Sequence, residues 1–200
     1  MQRFSIPIFF IFIISNTFGQ DTLRNHNFSG IGLSYYGENF SHYGIKITTE
    51  FPLLTSDKVK TKNSGKIVNK RRDIFINGNI GGYFHKQNNV GVFIVGELGY
   101  RKTRKKGFKY EFILGLGYLH TFLQGDTYEV NDNGDIKRVR LAGQSNLMIP
   151  ISIGLGYDFN YNYKKPISMS IKPGLFIQYP YNIAVAVRPT IDFGIYYHFK

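Results

Sequence analysis

The residues that close the chain alternate without a break: Ile191, Phe193, Ile195, Tyr197 and Phe199 share one parity, and Thr190, Asp192, Gly194, Tyr196 and His198 the other. Successive side chains of a strand point to opposite faces, so the pattern predicts a strand with one apolar and one mixed face. Ile183, Val185 and Val187 carry the apolar parity upstream across Pro189, which removes one ladder donor. The same rhythm recurs over residues 167–179, 147–159, 108–122, 90–101, 73–85 and 42–51, and more weakly over 28–36. With the closing run these make eight predicted strands. Polar turn clusters at 37–39, 86–89, 105–107 and 164–166 separate them, so adjacent strands are expected as hairpin neighbours. Within the longer connection 124–140, Asn133-Gly134 lies between Tyr128-Glu129-Val130 and Ile136-Lys137-Arg138, a hairpin signal that predicts a projecting β-ribbon.

Residues 1–19 carry an export pattern and are set apart from the fold. Arg3 is the basic start. Residues 4–14 are apolar apart from Ser5 and Pro7, and Thr17 and Gly19 are small residues at the −3 and −1 positions of a cleavage before Gln20. The expected organisation is a signal peptide over 1–19 and one β-barrel domain over 20–200. Beyond Gln20 no apolar run reaches the ~20 residues of a membrane helix, so a spanning structure has to be a closed barrel with every backbone group paired. The chain has no cysteine, which excludes disulfides, thiolate zinc sites and a lipid-accepting cysteine at the cleavage point. Its net charge of +12 calls for an anionic partner. Export argues against nucleic acid and for phosphate-rich lipid headgroups. No cofactor is expected: there is no phosphate-cradling glycine loop, and the calcium-like run 131–135 fails because Arg140 stands where a closing Glu belongs.

Alternation alone fits a soluble ligand-binding barrel as well as a membrane barrel with a polar interior. The minority face holds Lys46, Glu50, Glu97, Arg101, Lys109, Glu111, Lys172, Arg188 and Asp192, which either arrangement accommodates. Aromatic residues near predicted strand ends, at Tyr100, Phe108, Tyr110, Tyr157, Phe159, Tyr179 and Tyr181, suit the two girdles of a membrane barrel. The closing run 191–199 then resembles the C-terminal signal of the small, eight-stranded outer-membrane β-barrel proteins of Gram-negative bacteria, an alternating apolar strand ending in an aromatic residue. Lys200 follows that aromatic, where the family usually ends on it. The resemblance implies an all-β, eight-stranded antiparallel up-and-down transmembrane barrel in the outer membrane. It also implies a barrel assembly machinery that reads Phe193, Ile195, Tyr197 and Phe199, and a periplasmic N-terminus and Phe199.

An eight-stranded barrel has room inside only for side chains. Lys46, Glu97, Glu111, Lys172, Arg188 and Asp192 are therefore expected to form a lumen charge network. With Tyr83, Phe93 and Phe176 also inward, they leave no path for substantial conductance. The expected function is that of a structural or interaction barrel, with outer-membrane lipid and a periplasmic or cell-surface protein as partners. The alternative is a lipid-modifying enzyme carrying out acyl transfer or hydrolysis, which needs a serine beside a histidine. Of His26, His42, His85, His120 and His198, only His42 has a serine adjacent in sequence, Ser41, and neighbours on a strand face opposite ways. No catalytic residue is assigned. Two basic connections, 58–72 and 101–106, fall at the end expected to carry the termini and read either as solvated turns or as docking sites for an acidic partner or anionic headgroups.

Overall fold

The computed structural model describes residues 30–38, 42–61, 67–86, 89–104, 106–125, 127–130, 134–139, 141–181 and 184–199. The expected leader, Phe28, the turn at 131–133, Arg140, Ile183 and Lys200 lie outside the described residues.

Eight strands form a closed antiparallel barrel: β1 (Gly30–Glu38), β2 (His42–Thr61), β3 (Ile67–His85), β4 (Asn89–Arg104), β5 (Phe108–Leu123), β8 (Gly143–Asp158), β9 (Ile167–Tyr181) and β10 (Ala184–His198). The order is up-and-down, and the ring closes where β1 pairs with β10 from Gly30 opposite His198 to Glu38 opposite Thr190. Between β5 and β8 the chain leaves the ring to make the ribbon of β6 (Thr127–Val130) and β7 (Ile136–Val139). One end of the barrel carries Gly30, His198, the β2–β3 hairpin, the β4–β5 turn and the short α1 (Asn160–Tyr163); the other carries the β6–β7 ribbon.

Polar and apolar faces are distributed inside-out. Leu33, Ile45, Ile80, Leu116 and Ile153 are each about 60% exposed, while Lys46, Glu50, Glu97, Glu111, Lys172 and Asp192 are buried. At about 3.3 Å per residue and a tilt of roughly 40°, the outward column of β4 from Val90 to Tyr100 stands about 25 Å tall, the height of a membrane barrel's apolar band. Exposed tyrosines mark both edges of the belt: Tyr43, Tyr118 and Tyr179 at the ribbon end, Tyr100, Tyr110 and Tyr197 at the other.

Four boundaries differ from those read in the sequence. Residues 53–61 and 67–72, expected as a connection, continue the β2–β3 ladder, with Leu54 opposite Ile74 and Thr61 opposite Ile67 beyond an irregularity at Pro52. Both faces of this stretch are rich in Ser, Thr and Lys, so no apolar parity announces it. Residues 102–104 are likewise strand, and Arg101, claimed both by the minority face of 90–101 and by the connection 101–106, is buried in the lumen. Gly37 and Glu38 end β1 instead of opening a turn, and Phe159 falls in the turn before α1. Pro189 is accommodated inside β10 because β1 pairs with that strand only from Thr190 onward, so the missing N–H falls where one ladder has ended.

The lumen is filled by a repeated cross-strand device. Phe75 stands opposite Gly99, Tyr83 opposite Gly91, Phe93 opposite Gly81 and Tyr196 opposite Gly32. Each inward ring lies across the bare backbone of its partner. A Cβ at Gly99 would fall 2.2 Å from Phe75 Cζ, and one at Gly91 2.4 Å from the Tyr83 ring. Gly99→Val should therefore destabilise the folded barrel by about 1–3 kcal/mol through overpacking. Gly96→Val, which points outward with no atom nearer than 3.9 Å, should be close to neutral. Urea unfolding in phospholipid vesicles measures the difference.

Candidate functional site

The lumen is layered along the barrel axis. Nearest the end that carries Gly30 and His198, Arg101 on β4 links its neighbour β5 to β2, two strands away. Its Nε donates to Glu111 Oε1 at 2.6 Å, its Nη1 to Glu50 Oε1 at 2.7 Å, and its Nη2 contacts the second Glu50 oxygen. The guanidinium also lies over the Phe75 ring, 4.3 Å from its centroid. Glu111 is the hub. Lys109 Nζ lies 3.6 Å from its Oε1 and Lys172 Nζ 3.5 Å from its Oε2, so one buried carboxylate faces three cations. Each lysine also donates one hydrogen bond to a neutral oxygen, Lys109 to Ser168 Oγ at 2.9 Å and Lys172 to Tyr196 OH at 2.7 Å.

Farther along, Lys46 pairs with Asp192, and Asn77 Nδ2 donates to Glu97 Oε2 at 3.2 Å. A layer of Tyr36, Tyr83, Phe93, Val95, Leu119, Met148 and Phe176 then plugs the lumen. Beyond the plug, at the ribbon end, Glu38 takes Arg188 and also His42, whose Nδ1 is 3.0 Å away; the His42 ring packs on His85 with centroids 3.6 Å apart. Charges removed from water persist when opposite partners and hydrogen bonds surround them, and that condition places each of these groups.

All six charges picked from the sequence line this interior, though not as one network. Lys46 meets Asp192 and Glu111 meets Lys172, while Arg188 belongs to Glu38 and Glu97 to Asn77. Sequence reasoning missed Glu38 because it placed that residue within the turn cluster 37–39, and it left Glu50, Arg101 and Lys109 outside the network. One signal was available: Arg101 and Glu111 are direct cross-strand partners, equidistant from the β4–β5 turn at Lys106. The proposed assembly residues Phe193, Ile195 and Tyr197 are each about half exposed on the outer face, and the Phe199 ring packs edge-on against Tyr197 at 5.2 Å.

Two serine–histidine contacts come from strand pairing rather than sequence proximity. Inside, Ser168 Oγ lies 2.9 Å from His198 Nε2 and is fully buried. Outside, near the ribbon end of β5 and β8, Ser145 Oγ lies 3.1 Å from His120 Nδ1 and 2.7 Å from Tyr118 OH. The sequence-adjacent candidate fails: His42 turns inward to Glu38, and Ser41 lies outside the described residues. Among the described residues no carboxylate is hydrogen-bonded to His120, and no group of three His, Asp or Glu is disposed to hold a metal.

No protein-family model and no curated protein matches the chain. Three solved structures are similar in form. The N-terminal β-barrel domain of Pseudomonas aeruginosa OprF is 18% identical with a TM-score of 0.43, covering 85% of this chain and 97% of its own. The outer membrane enzyme PagL is 11% identical with a TM-score of 0.45, covering 84% and 98%. The β domain of the Bordetella autotransporter BrkA is 8% identical with a TM-score of 0.32, covering 87% and 100%. The fold assignment rests on the closed ladder rather than on these likenesses.

Because Glu111 is the carboxylate that Arg101, Lys109 and Lys172 share, Glu111→Ala should cost about 3–5 kcal/mol by leaving the two buried lysines without their ion-pair partner. Glu97→Ala, losing the Asn77 hydrogen bond and a second carboxylate near Lys46, should cost less, about 1–3 kcal/mol. Equal losses in urea unfolding of the two variants would contradict the hub.

Proposed function

We propose that this chain is an integral outer-membrane barrel with a filled lumen, acting as a structural or interaction protein that displays the β6–β7 ribbon on one side and the basic β2–β3 hairpin on the other. The observation that carries this reading is the inside-out burial: charged side chains shut inside and a belt of Leu, Ile, Val, Tyr and Phe outside. Water would leave such a belt uncompensated, whereas a hydrocarbon layer solvates it. The packed plug around Tyr83, Phe93 and Phe176 argues against solute flow. Outer-membrane lipid is then the first partner and the barrel assembly machinery a transient one, engaged through Phe193, Ile195, Tyr197 and Phe199. A periplasmic or cell-surface protein is the partner for the displayed segments, and nucleic acid and cofactors have no place in this reading.

Fractionation of expressing cells tests it. The processed protein should be extracted from outer membrane by detergent and should give no porin-sized steps in planar bilayers, and Phe199→Ala should lower the amount assembled. Recovery in the soluble periplasmic fraction would overturn the reading.

A lipid-modifying activity is favoured by one observation, the outward contact of Ser145 with His120. There a serine oxygen and an imidazole nitrogen meet within hydrogen-bond reach on a lipid-facing surface, the relation that activates a nucleophile for acyl transfer or hydrolysis. Tyr118, which shares the serine oxygen, supplies the competing account of a polar cluster at the aromatic rim. Overexpression should alter the acyl content of membrane lipid for the wild type and not for Ser145→Ala if the enzyme reading holds. Unchanged lipid with both leaves the cluster structural.

A further inference from the structure

Toward the end that bears Gly30 and His198, the outward face of β3 and β4 changes chemistry within one step. On β4 the outward column runs Leu98, Tyr100, Lys102, Arg104, and on β3 it runs Ile76, Ile74, Arg72. The register sets Arg72 opposite Lys102, Lys102 opposite Tyr110, and Lys70 opposite Arg104. Like charges directly opposite each other across a ladder repel. On the inner side of the same rungs the chain answers each cation with a carboxylate: Arg71 with Asp73, Arg101 with Glu50 and Glu111. On the outer side it supplies none, for among the described residues no carboxylate pairs with Arg72, Lys102 or Arg104. The negative charge that makes this arrangement stable has to come from outside the chain.

Depth identifies its source. Tyr100 is the last exposed aromatic before the cations on β4, and on the neighbouring β5 Tyr110 stands opposite Lys102 with Phe108 exposed one step beyond it. Lys102 stands about 7 Å farther along the tilted strand than Tyr100, which sets it about 5 Å beyond the apolar edge. The headgroup layer outside a hydrocarbon core of about 30 Å is of order 5–8 Å thick on each side. The Arg104 guanidinium is held back at the same level, 5.0 Å over the Tyr110 ring. These cations lie at the depth of lipid phosphates, beside the barrel wall, where lipid and not soluble protein is the immediate neighbour.

We propose that Arg72, Lys102 and Arg104, framed by Tyr100 and Tyr110, form a binding surface for the phosphates of anionic phospholipids in the leaflet at the end bearing Gly30 and His198. The inference rests on the membrane reading above and names the lipid class that the reading leaves open. Each basic side chain at an anionic surface multiplies affinity roughly fivefold.

The test uses the folded mature chain in detergent micelles, titrated with phosphatidylglycerol or phosphatidylcholine, with bound lipids counted by native mass spectrometry. The wild type should hold phosphatidylglycerol at least about tenfold more tightly than phosphatidylcholine. The triple variant Arg72→Gln, Lys102→Gln, Arg104→Gln should lose that preference, and Lys137→Gln with Arg138→Gln, in the ribbon at the opposite end, should keep it. A folded wild type without headgroup preference, or a triple variant that retains it, overturns the surface and leaves the barrel standing. Tighter binding of soluble polyglutamate than of phosphatidylglycerol assigns the surface to an acidic protein and also overturns it. A wild type that fails to show heat-modifiable migration removes the membrane reading itself, and this proposal with it.

Discussion

Everything in this molecule follows from the ladder that joins its first strand to its last. Residues 30–38 meet 190–198 rung by rung, and with that seam the ring has no open edge along its apolar belt. A backbone surrounded by hydrocarbon tolerates no unpaired N–H or C=O, so closure is the condition for the belt to exist at all. Closure at eight strands also fixes a bore too narrow for solvent and wide enough for one layer of side chains. The inward rings and the glycines opposite them solve that packing problem locally, each ring occupying the volume its partner leaves empty.

The electrostatics divide along the same wall. Inside, where a charge has no water, the acidic residues gather around the cations, and Glu111 and Glu38 each serve more than one of them. The chain has 13 acidic residues against 25 basic ones, and this interior consumes many of the carboxylates. The surplus of positive charge therefore appears on the outer rim and the β2–β3 hairpin. A basic composition that reads at first as a signal for nucleic acid thus belongs to a barrel whose buried carboxylates outnumber its buried lysines and arginines.

Much of the fold was legible because the barrel's two faces differ so sharply. Wherever one parity is apolar and the other polar, as on 90–101 or 190–199, the strand could be read directly. The reading failed over the outer reaches of β2 and β3, whose sequence shows no contrast between parities, and their pairing is visible only in the ladder. The site was less legible than the fold. Arg101 and Glu111 share a hairpin, so their contact was within reach of sequence reasoning. Glu50 meets Arg101 across β3, by a stagger of strands that no local pattern records. Ser145 and His120 meet across the β6–β7 excursion, so their register depends on how many residues that ribbon absorbs.

The β2–β3 hairpin has one further property. β1 pairs with β2 only as far as Gly30 opposite Glu50, yet β2 runs on to Thr61. From Leu53 outward, no described strand lies along its second side. An open strand edge is a template on which another chain can add itself, and proteins blunt such edges with lysine. Lys58 and Lys60 fall on this edge in the sequence, with Lys70 and Arg72 on the strand behind it. By sequence, a second copy laid against the first would bring these lysines together at its outer part. The hairpin thus extends well past the barrel without inviting its own kind to polymerise on it.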